Sequence, residues 1–131
     1  MKVIVDEKEP AIVVEGLKHL DEIIANAIER AKSEEILGIV LLKNSNDDEL
    51  GLVVGSDKTV LSFNYGHGNS PYYVSKGTLD TKAPVLTCYF LFQHHTEFLR
   101  KWVIPFNIGI LACHEFYNSE NLPSCIEWAE V

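Results

Sequence analysis

The sequence predicts an α+β fold, in which an antiparallel β-sheet is packed on one face by two α-helices. Two observations support this prediction. Apolar residues recur at helical spacing in two segments, 17–31 and 105–116, and much of the remaining chain consists of short apolar runs separated by polar, turn-rich segments. The order of these elements implies a sheet of roughly six to eight strands. The second helix precedes a last strand that returns to the sheet.

The first predicted elements are two strands and a helix. KVIV and AIVV are β-branched runs that flank the turn segment DEKEP. In the helix that follows, charged side chains lie away from a single apolar stripe, which we expect to face the core. The stripe consists of Leu17, Leu20, Ile24, Ala27, Ile28 and Ala31.

Most of the sheet is predicted from residues 36–75. ILGIVLLK is an apolar run short enough for a buried strand, the polar segment KNSNDDE is a loop, and LGLVVG is the next strand. SDK forms a tight turn into TVLSFNY, where Leu61, Phe63 and Tyr65 share one face and Ser62 and Asn64 share the other. The glycine-rich loop GHGNSP leads to the short strand PYYVS, and GTLDTKAP is predicted to be another loop.

The segment QHHTEF, residues 93–98, raises the choice between a hairpin turn and a metal or catalytic site. The alternating runs PVLTCYFLFQ and TEFLRKWVI on either side predict a β-hairpin with His94 and His95 at its turn. Neighbouring strand residues point to opposite faces, and no third ligand lies at a recognised spacing. We therefore expect a turn here, with no metal and no other cofactor.

The second helix is predicted to start near Pro105 and to end at residues 118–121. Ile108, Leu111, Ala112 and Phe116 form its apolar stripe, and Gly109 inside it indicates close packing. LPSCIEWAEV is the predicted last strand. Its alternation places Trp128 in the core beneath this helix, near Phe116.

Length and charge limit the functional classes. The 131 residues predict one domain, 1–131, and 11 basic against 19 acidic residues give a net charge of −8. This charge disfavours direct binding to nucleic acid and suits a basic partner. No apolar run reaches membrane-spanning length, and MKVIVDEKEP lacks the features of a signal peptide, so we expect a cytoplasmic protein without membrane contact. Cys88, Cys113 and Cys125 are expected to be buried free thiols.

Two near-motifs leave an enzymatic alternative open. Cys113-His114-Glu115 followed by Pro123-Ser124-Cys125 is similar to the zinc-deaminase signature, but its spacing is wrong and a second cysteine pair is missing. YGHGNS lacks the Lys-Ser or Lys-Thr step of a phosphate-binding loop. A small enzyme that uses a cysteine or histidine, or a structural or adaptor module, therefore remains an alternative.

The C-terminal run IPFNIGILACHEFYNSENLPSCIEWAEV resembles the ending of the Imm family, first type, of bacterial polymorphic-toxin immunity proteins. The matching steps are Ile104-Pro105, Glu115-Phe116, Leu122-Pro123 and Glu127-Trp128. The middle segments LGLVVG, TVLSFNY and YYVSKG also agree in order, so the resemblance covers nearly the whole chain. KNSNDDE departs from the family pattern, and nothing is carried over there.

The resemblance implies a non-enzymatic inhibitor of a secreted toxin, which is often a nucleic-acid deaminase or nuclease. An acidic inhibitor suits the basic cleft of such a toxin, where it would exclude the substrate. The sequence leaves the oligomeric state open, including a homo-oligomer. Because loops carry recognition on rigid scaffolds, two loops supply the toxin-contact candidates. They are Asp47, Asp48 and Glu49 in the acidic loop, and Asn64, Tyr65, His67 and Asn69 in the glycine-rich loop.

Overall fold

The computed structural model describes residues 1–77 and 85–131. Its helices are α1 (Leu17–Glu34) and α2 (Phe106–Ser119), and a 3-10 turn spans Arg100–Trp102. Its strands are, in chain order, β1 (Lys2–Ile4), β2 (Ile12–Val13), β3 (Gly38–Lys43), β4 (Glu49–Val54), β5 (Lys58–Thr59), β6 (Leu61–Asn64), β7 (Tyr72–Ser75), β8 (Val85–Phe90), β9 (His94–Leu99), β10 (Ile104–Pro105) and β11 (Trp128–Glu130). Residues 78–84 of the predicted loop GTLDTKAP lie outside the described residues.

Strand β3 is the centre of the main sheet. Within the described part of the chain, neighbouring strands run in the order β2-β1-β3-β4-β6-β7-β11, and all of these pairs are antiparallel. The edge of β3 that pairs with β1 at residues 41–43 also pairs with β8 at Gly38 and Ile39, and this second pairing is parallel. The β8–β9 hairpin is joined to the sheet there, while β5 and β10 form a separate small sheet. The predicted α+β class is confirmed.

Alternate residues of β3 and β4 point to opposite sides of the sheet. Apolar residues occupy both sets of positions, so both faces of the sheet are apolar. Val40 and Leu52 belong to the core shared with α1 and α2. Ile39 and Val53 belong to a second cluster, in which the β8–β9 hairpin contributes Phe98. The helices thus cover one face, as predicted, and the hairpin covers part of the other.

Helix α1 confirms the predicted stripe. Leu20, Ile24, Ala27 and Ala31 are buried against the sheet, and Leu17 and Ile28 pack at the margin of the same core. The helix ends where Glu35 adopts a left-handed conformation with φ 56°, and its backbone N–H donates to the carbonyl of Lys32.

Helix α2 is rotated relative to the predicted stripe. Its buried residues include Gly109, Ala112 and Phe116, whereas Leu111 is 55% exposed. The rotation brings the small residues to the sheet, where a Cβ on Gly109 would lie 2.6 Å from Cγ2 of Thr59. The prediction of close packing at Gly109 is confirmed, and the placement of Leu111 in the core is wrong.

The hairpin turn lies before the two histidines. Leu91 and Phe92 adopt left-handed conformations with φ 50° and 60°, and Gln93 completes the turn. His94 and His95 are the first residues of β9, so their placement at the turn is wrong. Each imidazole has its own carboxylate: His94 Nε2 lies 2.8 Å from Glu7 Oε1, and His95 lies 3.9 Å from Glu97. They do not form a joint site.

The C-terminal segment is less regular than predicted. Only Trp128–Glu130 form a strand, which pairs with β7. Trp128 is half-buried, not fully buried as predicted, and packs against the core cluster that contains Phe116. Its ring lies 6.3 Å from Phe63 and 6.4 Å from Tyr73, and its Nε1–H donates to the carbonyl of Pro123 at 2.7 Å. Trp128 therefore lies at the margin of the core and not at its centre.

The three cysteines differ in exposure. Cys88 and Cys113 are buried free thiols, as predicted, and burial raises the pKa of each to about 12. Cys125 is exposed, because the segment before β11 lies on the surface, and the prediction of burial is wrong there. Partial desolvation and the Glu115 carboxylate raise the pKa of Cys125 as well.

Thiol labelling should separate these environments. In the native protein, 5,5′-dithiobis(2-nitrobenzoate) should react first with Cys125, because this thiol is exposed. The rate should increase with pH, since the thiolate is the reactive species and its pKa is raised. Denaturant should expose all three thiols with or without reductant. If only one thiol were titrated in denaturant without reductant, the other two cysteines would form a disulfide, which would contradict the assignment of three free cysteines.

Candidate functional site

The acidic turn, residues 44–48, is organised by one buried amide. The Oδ1 of Asn44 accepts hydrogen bonds from the backbone N–H groups of Asn46 and Asp48 at 3.0 and 2.9 Å. Its Nδ2 donates to Asp48 Oδ2 at 2.9 Å and to the carbonyl of Glu120 at 2.7 Å. Asn44 is 5% exposed, and burial of a fully bonded amide fixes the shape of the turn.

The glycine-rich loop, residues 65–71, packs directly against the acidic turn. Strands β4 and β6 pair Glu49 with Asn64, so the turn before β4 and the loop after β6 meet at one end of the sheet. The backbone N–H of Gly66 donates to Asp48 Oδ1 at 2.8 Å. A Cβ on Gly66 would collide with the carbonyl oxygen of Asn46, so only glycine permits this approach.

The three acidic candidates have different surroundings. Asp47 is exposed in a left-handed conformation with φ 61°, and its side chain has no hydrogen bond or ion pair to the described residues. Asp48 uses both oxygens, one toward Asn44 and one toward Gly66. Glu49 was predicted in the loop but is the first residue of β4, where its carboxylate lies 3.9 Å from Nζ of Lys43. Asp47 is therefore the acidic candidate with no such interaction.

The candidates of the glycine-rich loop include a stacked pair of rings, Tyr65 and His67. Tyr65 is half-buried, with its ring 5.0 Å from Phe63 in an edge-to-face arrangement. The exposed His67 ring stacks on Tyr65 at 5.3 Å, and its Nδ1 accepts a hydrogen bond from the backbone N–H of Asn69 at 3.0 Å. Asn69 is exposed, and Asn64 is the last residue of β6. The structure brings these residues and the acidic turn onto one surface.

A residue that sequence reasoning missed also joins this surface. The Oε1 of Glu120 accepts a hydrogen bond from the backbone N–H of Ser45 at 3.1 Å, and this bond holds the pKa of Glu120 below its ordinary value. Glu120 caps α2, whose negative dipole end therefore lies at the acidic turn. The contact joins residues 75 positions apart, and no local pattern indicates it.

The near-motif around Cys113 is part of the scaffold. His114 Nε2 lies 2.6 Å from Asp21 Oδ1 and links the two helices. Glu115 Oε1 accepts hydrogen bonds from Ser124 Oγ at 3.3 Å and from the backbone N–H of Cys125 at 3.1 Å. Across residues 1–77 and 85–131, no three His, Cys, Asp or Glu side chains are grouped to hold a metal ion. In the same ranges, no helix is both long and apolar enough to cross a membrane.

The acidic turn and the glycine-rich loop together form the loop surface, which offers carboxylates, an amide and an imidazole on fixed backbone. Such a surface accepts hydrogen bonds from cationic donors and presents the His67 ring for stacking. In comparisons with known proteins, the family model described as immunity protein Imm1 matches residues 8–130, nearly the whole chain. No curated protein matches the chain.

Proposed function

The chain belongs to the Imm1 family of immunity proteins, and we propose that it binds a cognate secreted toxin and neutralises it by occluding the active site. The proposed toxin is a nucleic-acid deaminase or nuclease with a basic substrate cleft. The immunity protein would act in the cytoplasm without chemistry of its own. Its net charge of −8 supports this pairing, because opposite charge accelerates encounter with a basic cleft.

The observation that carries the proposal is the joining of the two loops by Asp48. Its carboxylate connects Asn44 to Gly66, so the acidic turn and the glycine-rich loop have one defined arrangement before any partner arrives. Pre-organisation favours binding because less conformational freedom is lost on association. The loop surface is therefore our proposed toxin-contact site.

Within this surface we assign two kinds of contact. Asp47 and Glu49 supply negative charge, which acts mainly on the rate of association. Tyr65 and His67 supply ring area with hydrogen-bonding tips, a combination that is enriched where interfaces are most tightly packed. Asp48 contributes by holding the loops together.

Charge reversal at Asp47 tests the first assignment. Asp47→Lys should slow association with the toxin by roughly threefold to tenfold at low salt and should reduce the salt dependence of the rate. The dissociation rate should change less. The matched control is Asp57→Lys, because Asp57 follows the opposite end of β4 and the variant has the same net charge. Binding kinetics at two salt concentrations give the answer, and equal association rates for the two variants would remove Asp47 from the interface.

The inhibitor function itself is tested in cells. Co-expression of this chain should restore growth to cells that produce the toxin encoded beside its gene, and the purified pair should form a complex in which toxin activity is lost. Growth arrest despite stable expression of both proteins would contradict the proposed function. Rescue without a complex would contradict occlusion as its mechanism.

A further inference from the structure

A cavity of about 360 Å³ lies between the β1–β2 hairpin and helix α1, apart from the loop surface. We name it the hairpin cavity. Its lining includes Glu9, Ile12, Glu22, Ile23, Asn26 and Arg30. Its volume is near the lower end of ligand pockets, about 300–1,000 Å³. The space suits one long side chain from a partner protein.

Part of the lining of the hairpin cavity, contributed by both the β1–β2 hairpin and α1, is apolar. Val5 and Ile12 come from the hairpin, and Ile23 and Ala27 come from the buried side of α1. Ile12 remains 36% exposed, because β2 is the last strand at its edge of the described sheet. An aliphatic stem could therefore cover apolar surface here that water now contacts.

The polar part of the lining has acceptors that other residues do not use. Glu22 and Asn26 are exposed residues of α1, and neither side chain has a hydrogen bond or ion pair within the described ranges. Glu9 has only a 3.5 Å contact with Arg30 Nη1. Two carboxylates and an amide oxygen therefore remain able to accept hydrogen bonds.

Arg30 does not make the cavity cationic. Its Nη2 lies 2.7 Å from Asp6 Oδ2, and its Nε lies 2.6 Å from Glu34 Oε2. Asp6 stays ionised, because the backbone N–H of Lys8 and the Arg30 guanidinium hold its pKa below the ordinary value. These two carboxylates exceed the single positive charge of Arg30, so the charge around the cavity is negative.

We propose that the hairpin cavity is a second toxin-contact site that accepts an arginine side chain of the toxin. This inference rests on the proposed function for the identity of the partner. The methylene stem would lie on Ile12 and Ile23, and the guanidinium would donate to Glu22 and to the side-chain oxygen of Asn26. Arginine fits better than lysine because its planar head carries five donors in a fixed fork, which matches several acceptors at once.

The position of the hairpin cavity allows one partner to reach it and the loop surface together. Strand pairing places Val13 beside Lys2, Lys2 beside Lys43, and Lys43 beside Glu49. The cavity residue Ile12, next to Val13, is thus three strand spacings from β4, or roughly 14 Å. A standard interface buries about 800 Å² on each partner and extends farther than this distance.

The first experiment uses the inactivated toxin domain encoded beside the gene. Glu22→Gln should weaken binding by about 10-fold or more, as expected for loss of a charged partner at an anchor residue. Glu29→Gln is the matched control, because it removes the same charge from an exposed position of α1 outside the cavity. Its affinity should stay within about twofold of wild type. Equal affinities for both variants, with tight binding by wild type, would overturn the cavity assignment and leave the proposed function intact.

The second experiment needs no toxin. N-acetyl-arginine amide should cause saturable NMR shifts of the backbone amides of Ile23 and Asn26, and N-acetyl-norleucine amide should not. The shifts should disappear in Glu22→Gln and persist in Glu29→Gln. Saturable binding would support the cavity assignment even if the toxin does not bind. Failure of the toxin to bind would contradict only the proposed function. Shifts that do not saturate, or that are unchanged in Glu22→Gln, would overturn the assignment.

Discussion

Replacement of Phe63 by alanine should lower the free energy of unfolding by about 3–5 kcal/mol, as large aromatic truncations in protein cores do. Phe63 is fully buried in β6, and its ring lies 5.0 Å from Tyr65, 6.0 Å from Phe116 and 6.3 Å from Trp128. Truncation leaves a cavity between the sheet, α2 and the C-terminal strand. Equilibrium denaturation in urea, monitored by tryptophan fluorescence, measures the loss.

Two variants make this expectation specific. Leu111→Ala also removes a large apolar side chain, but Leu111 is exposed on α2, so the free energy of unfolding should change by less than about 0.5 kcal/mol. Trp128→Ala should fall between the two, because Trp128 is half-buried and loses both ring contacts and its hydrogen bond to Pro123. A loss at Trp128 that equals or exceeds the loss at Phe63 would contradict the placement of Phe63 at the centre of the core and of Trp128 at its margin.

The sequence predicted those elements whose pattern is local. The stripe of α1 and the runs that form β3, β4 and β6 are visible as periodicity, because burial of one face requires it. The turn at Leu91 and Phe92 is not visible in this way, since apolar residues normally indicate a strand. Its apolar character has a tertiary reason: the Phe92 ring lies under the Arg30 guanidinium, 4.4 Å from ring centroid to Cζ, and against Gly38.

The candidate site was predictable only as two separate loops. Their composition indicated recognition, but their contact depends on the pairing of Glu49 with Asn64, and the register of a strand pair is set across the whole sheet. The roles within the site were also not accessible. Asp47 and Asp48 are adjacent and chemically identical, yet one is exposed and the other holds the two loops together.

Because Asp48 holds the two loops together, we expect the largest loss of toxin affinity from a substitution that separates them. Gly66→Asn should force the glycine-rich loop away from the acidic turn, because the new Cβ would meet backbone atoms of Asn46 and Asp47, which cannot rotate aside. The hydrogen bond from Gly66 to Asp48 should break with this movement. Hydrogen bonds to charged groups contribute about 1.5–3 kcal/mol. If the toxin needs the joined arrangement, this energy corresponds to roughly 10- to 150-fold weaker binding.

The matched control is the same substitution two residues later in the same loop. Gly68 has a positive φ of 76° and open space around its Cβ position, and asparagine tolerates this left-handed conformation better than most residues. Gly68→Asn should therefore keep the contact between the loops and most of the toxin affinity. For both variants, calorimetry measures the toxin affinity and denaturation measures the free energy of unfolding. The two measurements together distinguish a damaged contact surface from general unfolding. If Gly66→Asn binds the toxin as tightly as Gly68→Asn, the joined loops are not the contact site. If it binds weakly while the core remains as stable as in wild type, the toxin requires the arrangement that Asp48 holds.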